Sequence, residues 1–541
     1  MSLNKLQIKA KIFEIINPLR NLDAIDDRII SKVIKEIKSI KDADFEFIAR
    51  ILIKEADIKT TKSAGAFLYI AENLAPESFV ELILNELNSN KIPDEKKMFF
   101  LNILSGLGIK FNPEDINSYL KNPDEAINNE TSRFLECAKI DPEAQIDFLD
   151  FYFSSDAPDK KELINSVVRD FEGDRLINIL SPLVLSADDK ETVEFCLNIM
   201  EKQKSLLSYK PLKYLSSLKS AGKIQKKAFK ILQKMQMSGF YTKNKLYSFY
   251  KELLKDFEAP TAAITTPDGN SNFSVLISRK TLKGTCFLFF IAINIELGPF
   301  SCFGFSSLTE NDHDTIIKRF FTSKERFFIP ANEAKTILYE LTLKRISLNK
   351  IIPYEYFCWE RLLDDIEPVD KSLYEILENN IEKTKTDEKN KNLIENSPYI
   401  ENWFFRYSKN SPYFSNLMDE ILKLKDDEIY KTNSLVEEFS NNEILQENIK
   451  NRLKFLAYCF NSNNKKELAS AFYYLIFDEN EFKNFVKNIL KRSVYEFALM
   501  LNLPKKEENG LFNKPENKKE NKKAKVIINF VEKEWIEKNG N

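Results

Sequence analysis

The chain has 541 residues and a formal net charge of −2, from 80 Lys and Arg against 82 Asp and Glu. At roughly 150 residues per domain this allows about three folded units, and the balanced charge excludes nucleic-acid binding along the whole surface while leaving room for a local basic face. Only 12 residues are glycine, with none between 305 and 509, which disfavours Rossmann units, P-loop NTPases and large β-barrels; the single histidine, His313, excludes a multi-histidine metal site.

Met1 to Arg20 has the pattern of an amphipathic helix, with Leu6, Ile12, Phe13, Ile15 and Ile16 interrupted by charges, and lacks the apolar core of a signal peptide. The longest apolar run, Cys286 to Ile293, has eight residues, against the ~20 needed to span a bilayer. The six cysteines show no CxxC spacing, so reduced, buried thiols are expected rather than a zinc site or a disulfide framework. A cytoplasmic protein with no membrane partner is the expectation.

Residues 1–258 read as consecutive short helices. Asn112-Pro113-Glu114, Asn122-Pro123-Asp124 and Asp141-Pro142-Glu143 each place a capping side chain, then a proline with no N–H to lose, then an acid at the positive end of the helix dipole. Ala75-Pro76-Glu77 repeats the pattern without the cap. Apolar residues recur near 3.6: Leu163, Val167, Val168 and Phe171 on one helix, which Gly173 is expected to stop; Leu176, Ile179, Leu180 and Leu183 on the next. Val193, Cys196, Leu197 and Met200 follow, then Ile224, Ala228, Ile231, Leu232 and Met235. Short helices with one apolar face cannot bury it alone, and stacking in antiparallel pairs does so. Over about 40–236 this pattern resembles a HEAT-like or armadillo-like α-solenoid. The resemblance implies a concave surface offered to a protein or peptide, and no single activity.

The period changes near Ala259. After the turn residues Thr266 to Asn270, Phe273, Val275 and Ile277 alternate with polar residues, 284–295 is a more fully apolar strand, and Phe300 to Phe305 forms a third. Ser307-Leu308-Thr309-Glu310 reads as a capping box opening a helix with Ile316, Ile317, Phe320 and Phe321. An extended Phe327–Pro330 leads to a helix from Ala331 to Asn349 and another after Pro353. The expected fold is therefore mostly α: helical repeats over 1–258, a small α+β module over 259–366 with a three-stranded antiparallel meander, and a helical region over 367–503. Residues 504–525 read as a disordered charged linker and 526–541 as a C-terminal amphipathic helix.

Chemistry is sparse. His313 lies between Asp312 and Asp314, and sequence neighbours on a helix do not face each other, so it lacks an evident orienting carboxylate or nucleophile. Asp268 followed by Ser278-Arg279-Lys280 has the spacing of a metal-dependent nuclease but no second acid. No catalytic residue, cofactor, metal or small-molecule substrate is assigned. Two binding candidates remain. Arg279, Lys280, Lys318, Arg319, Lys324 and Arg326, interleaved with Phe320, Phe321, Phe327 and Phe328, form a candidate basic-aromatic patch. Tyr354, Tyr356, Trp359 and Trp403 form a candidate aromatic interaction cluster, unless they are core. The function expected is a non-enzymatic scaffold for a protein or peptide partner. The alternative is a nucleic-acid-associated protein, RNA- or translation-related, using 318–328 and the Lys-rich tail. Limited proteolysis tests the organisation: cutting should concentrate in 504–525 and leave 1–366 resistant, whereas early cutting inside 100–240 contradicts a stacked array.

Overall fold

The computed structural model describes residues 5–21, 27–40, 43–56, 61–187, 189–218, 222–322, 325–378, 381, 388–395, 397–407 and 412–502. Among these are 25 α-helices and a five-stranded antiparallel sheet. The linker and terminal helix expected at 504–525 and 526–541 lie outside the described residues.

Three of the proline signals mark helix starts, each after an Asn or Asp at the N-cap. Asn112, Asn122 and Asp141 are the N-caps of helices Pro113–Tyr119, Pro123–Cys137 and Pro142–Ser154. The Asp141 side chain accepts from the Glu143 N–H, a contact of the kind that stabilises a helix by ~1 kcal/mol. Ala75-Pro76-Glu77 lacks such a cap, and the helix there begins only at Phe79. Gly173, expected to end a helix, instead caps the start of Asp174–Ser186 with φ 67°, a conformation costly for any residue with a Cβ.

Helices Asp174–Ser186 and Lys190–Gln203 pack as a pair, as do Tyr209–Ser216 and Gly222–Met237. The first members of the two pairs touch each other, and so do the second members, which makes two layers. Leu176, Leu183, Cys196, Met200, Ala228 and Ile231 meet in the core between them. A separate core joins Ile8 to Leu104, and Leu135, Ala138 and Ile179 form a small cluster between the two.

The sheet runs in the order β4-β3-β2-β1-β5, with β1 Thr261–Ile264, β2 Asn272–Lys280, β3 Cys286–Asn294, β4 Gly298–Leu308 and β5 Phe327–Ile329. The expected three-stranded meander is β2–β3–β4, and two short strands widen it. At four and three residues, β1 and β5 are too short for alternation to reveal. Val275, Ile277, Phe289 and Ile291 face the main core, shared with the C-terminal helices, while Leu276, Leu288 and Phe290 face helix Glu310–Phe320. The cap of that helix is Thr309, whose hydroxyl accepts from the Asp312 N–H, rather than the expected Ser307, which lies within β4.

Side chains occupy backbone groups of one residue on each edge strand. Asn463 accepts from the Phe328 N–H (3.0 Å) and donates to the Phe328 carbonyl (3.2 Å), occupying the outer groups of β5. On β4 the Glu143 carboxylate accepts from the Ser306 N–H (3.1 Å) and hydroxyl. Exposed strand edges template further pairing, and these contacts block it at those two residues.

Segment 354–366 ties the helical array to the sheet. Helix Tyr354–Glu360 packs on β4, on Pro142–Ser154 and on Asp174–Ser186. The Trp359 ring stacks on Phe289, and a Cβ at Gly304 would overlap it, so β4 needs glycine there. Arg279 is 2% exposed; it donates two bonds to Asp365 (2.7 and 2.6 Å) and others to the carbonyls of Leu362 and Glu258. Lys210 pairs with Asp364 (2.6 Å) and Glu360 (3.2 Å), and Tyr214 donates to Glu360 (3.1 Å). Burial disfavours the Lys210 charge, but Asp364 and Glu360 outweigh it and hold the amine above the ordinary lysine value. Lys335 donates to the carbonyls of Leu363, Asp364 and Ile366, and its burial pulls its amine below that value.

The C-terminal helices close over the turn before β2. Trp403 Nε1 donates to the Pro267 carbonyl (2.9 Å), and Arg452 donates to the Gly269 carbonyl (2.5 Å). A side chain at Gly269 would overlap the Phe404 backbone.

Replacing one member of a buried ion pair strands the other. Arg279→Ala is therefore expected to lower stability by about 3–5 kcal/mol in chemical denaturation of the full chain, and Arg279→Ala with Asp365→Leu to recover part of it. A loss under about 1 kcal/mol would mean that Asp365 finds solvent instead.

Candidate functional site

The structure disperses the basic-aromatic patch. Arg279 is a core residue, held by Asp365 as described above. Lys280 is paired with Glu310, and Lys324 lies outside the described residues. Lys318 and Arg319 remain exposed at the end of helix Glu310–Phe320. Arg326 lies over the rings of Phe328 (4.5 Å) and Phe321 (5.7 Å). Phe328 is half-exposed on β5, whereas Phe327 is buried against Phe460. Three cations and one open ring are left of the expected surface.

The aromatic cluster divides in the same way. Tyr356, Trp359 and Trp403 are at most 1% exposed and form core, so they offer no groove. Tyr354 alone reaches the surface, where its ring stacks on Phe153 (5.1 Å) and its hydroxyl donates to Asp150. Of the cysteines, five are buried as expected and Cys137 is exposed.

His313 has the partners its sequence context did not suggest. Its Nε2 is 2.6 Å from Ser278 Oγ on β2, and its Nδ1 is 3.1 Å from Asp314 Oδ1, so the adjacent carboxylate does reach the ring. The order Ser–His–Asp is that of an activated hydroxyl. Ser278, however, lies in a central strand, paired with Thr261 on one side and Leu288 on the other. Next to it on β2, Ile277 is paired in both ladders and Arg279 with Phe287 of β3. The contact ties helix Glu310–Phe320 to the sheet. Asp268 likewise serves a turn, accepting from the N–H groups of Asn270 and Asn272.

An open concavity of ≈ 560 Å³ lies in the helical array. Its sides come from helix Pro142–Ser154, from helix Ala157–Asp170 and from the start of Lys190–Gln203. Tyr152, Phe153, Ile164 and Phe195 supply apolar surface, and Phe153 and Phe195 are only partly covered. Lys160 and Lys161 stand on one wall, with Lys160 over the Tyr152 ring (5.6 Å); Asp189 and Glu191 stand on the other. Sequence reasoning missed this cleft, since its residues come from three helices whose packing angles set which side chains converge.

Glu143, Asp147 and Asp150 follow one another at i, i+4 and i+7 along Pro142–Ser154, and Asp150 lies near Glu355. Burial pushes the Glu143 carboxyl above the usual range despite its two bonds from Ser306, and Asp141 and Asp147 push in the same direction. Burial and Asp150 raise Glu355.

Among the described residues no group of three or more His, Cys, Asp or Glu is placed to hold a metal ion, and no helix is long and apolar enough to cross a membrane. No family model matches the chain, and no curated protein or solved structure was found to match it.

A carboxyl raised in the fold binds protons that the unfolded chain has already released, so its ionisation costs stability at neutral pH and acid relieves that cost. Glu143→Gln, which keeps an acceptor for Ser306, should therefore melt higher than wild type at pH 7. The difference should shrink as pH falls through the range in which Glu143 takes up its proton. A lower melting temperature at pH 7 would show that the charged bonds to Ser306 outweigh burial.

Proposed function

We propose that the chain is a non-enzymatic scaffold whose array, HEAT-like or armadillo-like in its helix pairing, receives a protein or peptide partner in the cleft between Pro142–Ser154, Ala157–Asp170 and Lys190–Gln203. The observation that carries this reading is the cleft itself: aromatic side chains left partly open between two charged walls. Such surface is costly to leave in water and is what interface hot spots are made of. The two-layer stacking of Asp174–Ser186 with Tyr209–Ser216, and of Lys190–Gln203 with Gly222–Met237, supports the repeat-like description. Helices whose apolar faces are used up by their neighbours leave groove residues for recognition. A cytoplasmic location accompanies this reading.

Among the described residues the nucleic-acid reading retains Lys318, Arg319 and the Arg326–Phe328 pair, and the Lys-rich tail it also uses lies outside them. Affinity purification of the tagged full chain from its host, with and without nuclease, separates the two. A stoichiometric protein partner that survives nuclease and is lost with Phe195→Asp supports the scaffold. Partners released by nuclease, and indifferent to Phe195→Asp, overturn it.

A further inference from the structure

The two walls of the cleft carry opposite charge. Lys161 on helix Ala157–Asp170 and Glu191 at the start of Lys190–Gln203 make no ion pair among the described residues. Lys160 lies against the Tyr152 ring rather than beside an acid, and Asp189 is used by its own helix, accepting from the Thr192 N–H (2.6 Å). The cleft thus presents a cationic rim and an anionic rim with an apolar floor between them. A polyanion attracted to Lys160 and Lys161 would be repelled at Asp189 and Glu191, which selects against nucleic acid. A peptide can answer both rims at once.

At Ala187 this cleft meets a second concavity, of ≈ 220 Å³, lined by Leu185, Ser186, Leu218, Ile351, Ile352 and Phe357 among others. Ser186 is 9% exposed, and its buried hydroxyl has no hydrogen-bond partner among the described residues. The second concavity lies where the array meets the sheet module, since Phe357 belongs to helix Tyr354–Glu360.

We infer that the occupant is a bipolar peptide segment of a protein partner: an aromatic or aliphatic residue on the floor formed by Phe153 and Phe195, an acid facing Lys160 and Lys161, and a base facing Asp189 and Glu191. Where the segment continues past Ala187, a second apolar side chain enters the smaller concavity. The inference rests on the scaffold reading given above and adds the chemistry of the partner.

The test uses a random 12-residue peptide library displayed on phage, selected against the immobilised full chain, with enriched sequences made as fluorescent peptides and titrated by anisotropy. Enriched peptides should share an apolar residue flanked by an acid on one side and a base on the other. Phe195→Asp should abolish their binding. Lys160→Glu with Lys161→Glu should weaken it about tenfold, and exchanging the peptide's acid for Lys should restore it. Circular dichroism melting checks that each variant folds, and Phe195→Ser replaces Phe195→Asp if the latter does not. No enrichment, or peptides that bind Phe195→Asp as well as wild type, would overturn the scaffold reading at this cleft along with the inference. Peptides lost with Phe195→Asp but indifferent to the lysine reversal would overturn the bipolar partner and leave the scaffold standing. Displacement of the peptides by poly(U) would assign the cleft to single-stranded nucleic acid and overturn both.

Discussion

The architecture depends on a guanidinium taken out of water. Arg279 stands on a strand that otherwise sends Phe273, Val275 and Ile277 into the core, and its charge is tolerable there only because Asp365 meets it with both oxygens. That requirement fixes where segment 354–366 must lie. Once it is placed, Trp359 covers Phe289, Glu360 and Asp364 meet Lys210 from the array, and Lys335 satisfies the carbonyls at the end of the segment. Apolar packing alone would allow this segment to slide along the sheet. Paired buried charges do not, because each displaced position leaves an ion without a partner.

The same junction bears on where the proposed partner would bind. The sheet's inner face is core and its outer face carries helix Glu310–Phe320, with Phe300, Phe303 and Phe328 left half-exposed on its edge strands. Trp403 and Arg452, from the C-terminal region, hold the turn at 267–270. In the array, by contrast, consecutive helices leave a gap beside Pro142–Ser154, and the stack of Phe153 on Tyr354 links that helix directly to the junction. A ligand in the cleft would therefore touch the element on which the orientation of array and module depends.

Particular residues show how much could be read in advance. The parity of β2 places Arg279 on the same side as Ile277, so its inward direction was legible even though its charge suggested surface. The aromatic residues Tyr356, Trp359 and Trp403 carried no such signal, because density alone does not distinguish core from groove. The contacts of His313 with Ser278 and Asp314 depend on how one helix lies across one strand, which no spacing encodes.

By itself the sequence determined the local elements: helix starts at Asn112, Asn122 and Asp141, the switch to period two after Asn270, and the apolar faces of the array. These follow from capping, alternation and amphipathicity, which act over a few residues. The tertiary structure alone decided that β1 and β5 join the sheet, that the expected basic patch is split between core and surface, and that Lys160, Phe195 and Glu191 line one cleft. Those outcomes depend on contacts between residues far apart in the chain, whose energies come from burial and charge pairing summed over the whole fold rather than from any local stretch.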